Sequence, residues 1–126
     1  MSKSIFDEQI ISELKEIKDV EAIYLFGSYA KNKVKPYSDI DLCLITPKGL
    51  PDKKKALLGS HSSDKIDISL FWDLPLSIRF RVFREGKLLY CKDELFLLRV
   101  KVDTIKEYLD FQPVIERHIK RVFTGA

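Results

Sequence analysis

A strand-like segment that ends in a Gly-Ser pair most constrains the fold of this chain. Residues 20–26 are rich in β-branched and aromatic side chains, which favours a strand. Gly27-Ser28 follows directly and predicts a tight turn, because glycine adopts backbone conformations that other residues avoid. After a gap of ten residues the chain reads Asp39-Ile40-Asp41 and continues as an apolar segment to residue 45. The sequence therefore predicts two strands, the first ending in a turn and the second carrying two acids.

The two acids, Asp39 and Asp41, are separated by one residue on the second predicted strand. Side chains alternate along a strand, so both carboxylates point to one face, with their alpha carbons roughly 6.6 Å apart. Such carboxylates repel each other unless a cation lies between them. Mg²⁺ is typically held by one or two carboxylates together with water and substrate phosphates. Ser28 would open a short helical segment whose free N–H groups can hold a phosphate. The pattern predicts a metal–nucleotide site.

Hydrophobic periodicity predicts the remaining elements. Apolar residues at helical spacing predict a first helix on Phe6, Ile10, Leu14 and Ile17. The later segments are predicted as a short helix over 53–58, a strand over 65–71, a helix over 75–84 ended by Gly86, a strand over 87–91, and a helix from Asp93 to about Asp110 that Pro113 restarts toward Val122. Strands that alternate with helices indicate an α/β or mixed-sheet α+β fold.

Composition limits the classes of protein to which the chain can belong. Its 126 residues predict a single domain over 1–126, with 45% hydrophobic and 33% charged residues. A formal net charge of +3 is too mild for a nucleic-acid-binding stripe, so no specific DNA binding is expected. We see neither a signal peptide nor an apolar run long enough for a membrane span, which predicts a cytoplasmic protein. Cys43 and Cys91 lack metal-ligand spacing and are expected to be buried thiols.

Three stretches of the chain resemble a known family. Gly27-Ser28, the ten-residue gap and Asp39-x-Asp41 resemble the signature of the DNA polymerase β-like nucleotidyltransferase superfamily. Residues 86–90 and 108–113 are similar to the minimal nucleotidyltransferases, the MNT antitoxins that are paired with HEPN-domain toxins, and the likeness covers nearly the whole chain. The chain departs from the pattern at Lys31, because many relatives have an arginine nearby. A lysine keeps the charge but loses the bidentate fork.

The resemblance implies a nucleotidyltransferase fold, with a small mixed sheet, flanking helices, and Asp67 on the strand beside Asp39 and Asp41. It also implies an enzyme that moves AMP from ATP to a tyrosine hydroxyl of a HEPN ribonuclease toxin, with two Mg²⁺ ions. In the family a third acid helps bind the ion that activates the acceptor hydroxyl, and Asp67 is our choice. Asp64 has the opposite strand parity, and Asp73 lies past the strand centre.

The sequence thus predicts one set of site residues and leaves several functions open. Asp39, Asp41 and Asp67 are the predicted catalytic acids and metal ligands, and Gly27, Ser28 and Lys31 are the predicted nucleotide-binding residues. Lys31 can equally be part of a solvated loop. The alternatives are an antitoxin that neutralises the toxin by binding alone, and a transferase acting on small molecules or RNA ends, which usually needs a further domain. The apolar C-terminal segment from Phe111 to Phe123 either docks the partner or packs on the core.

Overall fold

The computed structural model describes the backbone of residues 2–27, 40–63 and 65–124, and the side chains of residues 9–27, 40–63 and 65–111. Within these residues the chain forms four α-helices and four β-strands. Their order is α1 Ser2–Lys15, β1 Ala22–Phe26, β2 Ile40–Ile45, α2 Asp52–Gly59, β3 Ile66–Leu70, α3 Leu76–Glu85, β4 Lys87–Cys91 and α4 Glu94–Thr124. A short 3₁₀ helix, Phe71–Asp73, follows β3.

The four strands form one mixed sheet in the order β3-β2-β1-β4. Strand β1 is antiparallel to both β2 and β4, whereas β2 and β3 are parallel. Parallel neighbours need a crossover connection, and α2 lies within the one that joins β2 to β3. The prediction of a small mixed sheet with flanking helices is confirmed.

Helices cover both faces of the sheet. On one face, the strand residues Ile23, Leu25, Ile40, Leu42 and Leu44 form a buried cluster with Ile10 and Leu14 of α1 and Leu58 of α2. On the other face, Ala22, Tyr24, Cys43 and Ile45 pack with Phe71, with Val82 of α3, and with Leu97 and Val100 of α4. Burial on both faces explains why β2 reads as an almost continuous apolar run. Because side chains alternate, Asp41 shares the second face with Cys43.

The prediction for the C-terminal helix is wrong at Pro113. We expected one helix to end near Asp110 and another to begin at Pro113, but α4 is a single helix over Glu94–Thr124. A proline removes one backbone donor and crowds the carbonyl four residues earlier. The helical turns on both sides keep their own hydrogen bonds, and the backbone stays helical through this position. The carboxylate of Asp93 caps the start of α4, accepting hydrogen bonds from the backbone N–H groups of Leu95 at 3.0 Å and Phe96 at 3.2 Å.

The structure also bears on two expectations from composition, the burial of the cysteines and the lack of a membrane span. Both cysteines are free, and Cys43 is buried as expected, but Cys91 is only half-buried. Its place at the end of β4, the outermost strand on that side of the described sheet, leaves one side of the thiol uncovered. None of the helices within the described residues is long and apolar enough to cross a membrane.

Candidate active site

Gly27 ends β1 in a backbone conformation that favours glycine. Its φ angle is +81°, in the left-handed region that other residues rarely adopt. A Cβ atom at this position would collide with Oδ2 of Asp41 and would lie 3.3 Å from its Cγ. The Asp41 carboxylate therefore lies directly against the backbone of the turn. The sharp turn predicted at Gly27 is confirmed, and the absence of a side chain there is what makes room for the acid.

Asp41 and Asp67 are register partners on the parallel strands β2 and β3. Neighbouring strands lie about 4.8 Å apart, and registered residues project to the same face. Asp41 is half-buried, whereas Asp67 is exposed on β3, the outermost strand on its side of the described sheet. On its other side, Asp41 is paired with Phe26, the residue before Gly27. The fold thus brings together the glycine turn and two of the three predicted acids.

The other predicted site residues lie outside the described part of the chain. Asp39, Ser28 and Lys31 belong to residues 28–39, and Asp64 is also outside the described residues. Their roles remain predictions. Asp73, the other candidate for the third acid, lies in the 3₁₀ helix after β3, and its carboxylate accepts a hydrogen bond from Lys55 Nζ at 3.0 Å. That contact raises the pKa of Lys55. Asp73 is therefore paired with Lys55, while Asp67 is in register with Asp41.

A small cavity opens beside the Gly27 turn. It has a volume of about 160 Å³ and is lined by Phe26 and Gly27 from β1 and by Ile78, Arg81 and Glu85 from α3. Nε of Arg81 lies 3.4 Å from Oε2 of Glu85, so the cavity wall carries one ion pair. The sequence reasoning did not single out these α3 residues. Their i, i+3, i+7 spacing places them on one face of a helix, but nothing in the sequence indicates that this face meets the Gly27 turn.

The described part of the site fits a magnesium ion. Asp41 and Asp67 offer carboxylate oxygens from registered positions, and Mg²⁺ is typically held by one or two carboxylates. Searching the described side chains alone, we find no group of three His, Cys, Asp or Glu residues that could hold a metal. The predicted third ligand, Asp39, lies outside that part of the chain. A role for Asp39 as the further ligand therefore stays a prediction.

A comparison with protein-family models decides the family. Residues 8–95 match the family described as "Polymerase beta, Nucleotidyltransferase". The chain belongs to this nucleotidyltransferase family. The matched region contains the Gly27 turn, Asp41, Asp67 and the α3 residues that line the cavity, so the whole described site lies within the nucleotidyltransferase domain. Most of α4 lies beyond the matched region.

Individual relatives agree with this assignment. A Methanocaldococcus jannaschii protein, provisionally named a protein adenylyltransferase, is 37% identical over 78 residues, which are 62% of this chain and 61% of that protein. The match thus spans about three fifths of that relative's length. A chain of a toxin–antitoxin complex crystallised with AMP-PNP has a TM-score of 0.75 at 24% identity, covering 92% of this chain and 98% of that one. A chain of a complex between an MNT antitoxin and a tri-AMPylated Shewanella oneidensis HEPN toxin has a TM-score of 0.69 at 23% identity, with 94% and 97% covered. The predicted likeness to minimal nucleotidyltransferases is confirmed for the fold.

The described histidine and cysteines of the nucleotidyltransferase domain do not compete with the acids as reactive groups. His61 follows α2, and its Nδ1 lies 4.0 Å from Oε2 of Glu13 on α1, on the sheet face opposite Asp41. Burial raises the pKa of the Cys43 thiol to about 12, so the thiol stays protonated and is a poor nucleophile. Burial also raises the pKa of Cys91. The described site therefore offers carboxylate oxygens, and not a thiolate, as its reactive groups.

Proposed function

We propose that this chain is an antitoxin-type protein adenylyltransferase, which moves AMP from ATP to a tyrosine hydroxyl of a HEPN-domain toxin and so inactivates it. The observation that carries the proposal is the registered pair of Asp41 and Asp67 beside the Gly27 turn, in a chain of the nucleotidyltransferase family. The names of the relatives support the acceptor class: one is provisionally a protein adenylyltransferase, and another structure contains an AMPylated HEPN toxin.

The reaction is an in-line displacement at phosphorus. The acceptor hydroxyl gives its proton to water as its oxygen bonds to the α-phosphorus of ATP, and the bond from that phosphorus to the bridging oxygen breaks to release pyrophosphate. Asp39, Asp41 and Asp67 would hold two Mg²⁺ ions, whose chemistry when bound would be to stabilise negative charge on the attacking and leaving oxygens. Of the two described acids, Asp67 is the more exposed and lies on an outer strand of the described sheet, so an incoming protein hydroxyl would reach it before Asp41.

The residues around the turn would hold the nucleotide. Gly27 has no side chain, which lets phosphate oxygens approach its backbone, and the N–H of Ser28 would donate to them. Lys31 would add positive charge from the following loop. Arg81 lines the adjoining cavity and is a second cation within reach of the turn. The cytoplasm is the expected compartment for this reaction, because ATP is available there and free thiols such as Cys43 persist.

The test is to incubate the purified chain with MgCl₂, ATP labelled at the α-phosphate, and a HEPN-domain protein from the same organism. Label should appear on the HEPN protein, and it should vanish when the acceptor tyrosine is replaced by phenylalanine. ATP labelled at the γ-phosphate is the matched control and should label nothing, because pyrophosphate carries that label away. Neutralisation of the toxin without any transferred α-label would contradict the proposal and would favour an antitoxin that acts by binding alone.

A further inference from the structure

Helix α4 carries a second apolar face that is exposed among the residues that the structure describes. Leu97, Val100 and Thr104 of α4 are buried, and the first two pack in the cluster on the sheet. On the opposite side of the helix lie Leu95, Leu98, Val102, Ile105 and Leu109, which we call the outer stripe. Four of them are at least half exposed, at 57% for Leu95, 54% for Leu98, 50% for Val102 and 53% for Leu109. An apolar surface of this extent on a helix that is already packed indicates an interaction site.

The spacing of the outer stripe is that of a helix–helix seam. Its members follow one another at alternating intervals of three and four residues. This is the heptad pattern in which the apolar side chains of one helix fit between those of a second helix. Ile105 and Leu109 also line a cavity of about 450 Å³ between α3 and α4, whose opposite wall is formed by Phe80 and Phe83. The stripe therefore widens into a groove that can accept large side chains.

Positive charge borders the outer stripe on both sides. Arg99 and Lys106 lie along one edge, and Lys101 lies along the other, facing Arg84 across the cavity. Glu94, in the first turn of α4, is an acidic residue at this rim. Asp103 and Asp110 lie one turn after Arg99 and Lys106, just outside the rim, and Glu107 lies further round the helix. Two copies of α4 would set Arg99 against Lys106 in antiparallel pairing and Lys101 against Lys106 in parallel pairing. Like charges at these flanking positions disfavour self-association.

We infer that the outer stripe and its groove dock an amphipathic α-helix of a partner protein, with apolar residues at heptad spacing and acidic residues on its flanks. The apolar seam supplies the contact area, and the basic rim selects a helix of opposite charge over a second copy of this chain. That this partner is the protein that accepts AMP rests on the proposed function. The docking surface itself does not. Binding at the stripe needs neither nucleotide nor metal, so it can be tested separately.

Two synthetic helical peptides of about three heptads serve as probes, both with leucine at the a and d positions. One has glutamate at the e and g positions and the other has lysine. Titrated against the full chain without ATP, the acidic peptide should bind at least about tenfold more tightly than the basic one. Lys106→Glu should reduce that preference.

Paired leucine variants locate the binding site. Leu98→Gln should weaken binding of the acidic peptide about tenfold, because it places an amide in the centre of the seam. Leu57→Gln is the matched control, since Leu57 is 62% exposed on α2, which packs on the other face of the sheet. It should bind like the wild type. Thermal melting checks that both variants fold. If Leu98→Gln does not fold, Val102→Gln replaces it in the same binding assay.

Three results would overturn the inference: no binding of the acidic peptide, equal binding of both peptides, or unchanged binding by Leu98→Gln and Val102→Gln. Sedimentation of the chain alone provides a further test. A dimer that Leu98→Gln dissociates would assign the stripe to a second copy of this chain instead. If the wild-type chain binds the acidic peptide but transfers no AMP to a HEPN protein, that result would count against the proposed function and not against this surface.

Discussion

Replacing Gly27 with alanine separates the two roles that the structure gives this residue. Gly27 and Gly49 both have left-handed φ angles, +81° and +77°. An alanine in that conformation costs about 1–2 kcal/mol in either place. At Gly49 a Cβ atom would meet nothing within 4 Å, so this cost is the whole effect. At Gly27 the Cβ would also collide with Oδ2 of Asp41, and moving that side chain off its rotamer adds about 0.5–1.5 kcal/mol.

Two assays distinguish Gly27→Ala from its control, Gly49→Ala. Urea unfolding should show losses in the free energy of unfolding of about 1–2 kcal/mol for Gly49→Ala and about 1.5–3.5 kcal/mol for Gly27→Ala. AMP transfer, measured under conditions where both variants are folded, should fall about 100-fold for Gly27→Ala, because a metal-binding carboxylate would be displaced on the ångström scale. Gly49→Ala should transfer at the wild-type rate. Equal transfer rates in the two variants would refute the claim that this turn positions Asp41.

Three other predictions concern single side chains. Asp67→Asn should lower AMP transfer about 100-fold or more, whereas Asp73→Asn should lose only the Lys55 contact and keep the wild-type rate; the reverse result in a transfer assay would make Asp73 the third acid. Ser28→Ala should weaken ATP binding by about 1–3 kcal/mol if its hydroxyl contacts a phosphate, and isothermal titration would show no change if it does not. Burial raises the pKa of the Cys43 thiol from 9.0 to about 12 in the folded chain. The contribution of the buried thiol to the free energy of unfolding is therefore complete below pH 9. It is lost as the pH rises toward 12, because the unfolded chain can release the thiol proton and the folded chain cannot. Its share of this loss is about 1.4 kcal/mol per pH unit, and urea unfolding of Cys43→Ala between those pH values should show a shallower decline; an unchanged slope would refute burial of the thiol.

The local parts of the fold could be predicted from sequence because short-range rules determine them. Strand β2, Ile40–Ile45, lies where the second strand was predicted, since its apolar residues surround Asp41 and stop at a proline-containing connection. Helix α3 was predicted within a residue at each end, because Pro75 precedes it and Gly86 ends it. The same rules failed at Pro113, where a proline inside a long helix did not interrupt it. A proline indicates the loss of one hydrogen bond, but not whether neighbouring turns sustain the helix.

The candidate site was only partly predictable. The sequence could place three residues together: Gly27, Asp41 and Asp67. Motif spacing and strand parity can be read directly from the chain, and the family resemblance supplied the order of the strands. Arg81 was not found, since the sequence does not show which strand end a helix face meets. The outer stripe was missed for a related reason: α4 is apolar on two faces, and periodicity does not show which of them is buried. Docking by the segment after Phe111 stays a prediction, because its side chains lie outside the described residues.

The most direct test of the central claim is AMP transfer by Asp41→Asn, measured with α-labelled ATP and the HEPN partner. The substitution keeps the shape of the side chain and removes the charge that would bind the metal. We predict a folded protein that still binds the partner but transfers no detectable AMP and leaves the toxin active. Wild-type transfer by the purified Asp41→Asn protein would contradict the assignment of a metal-dependent nucleotidyl-transfer site to this acid.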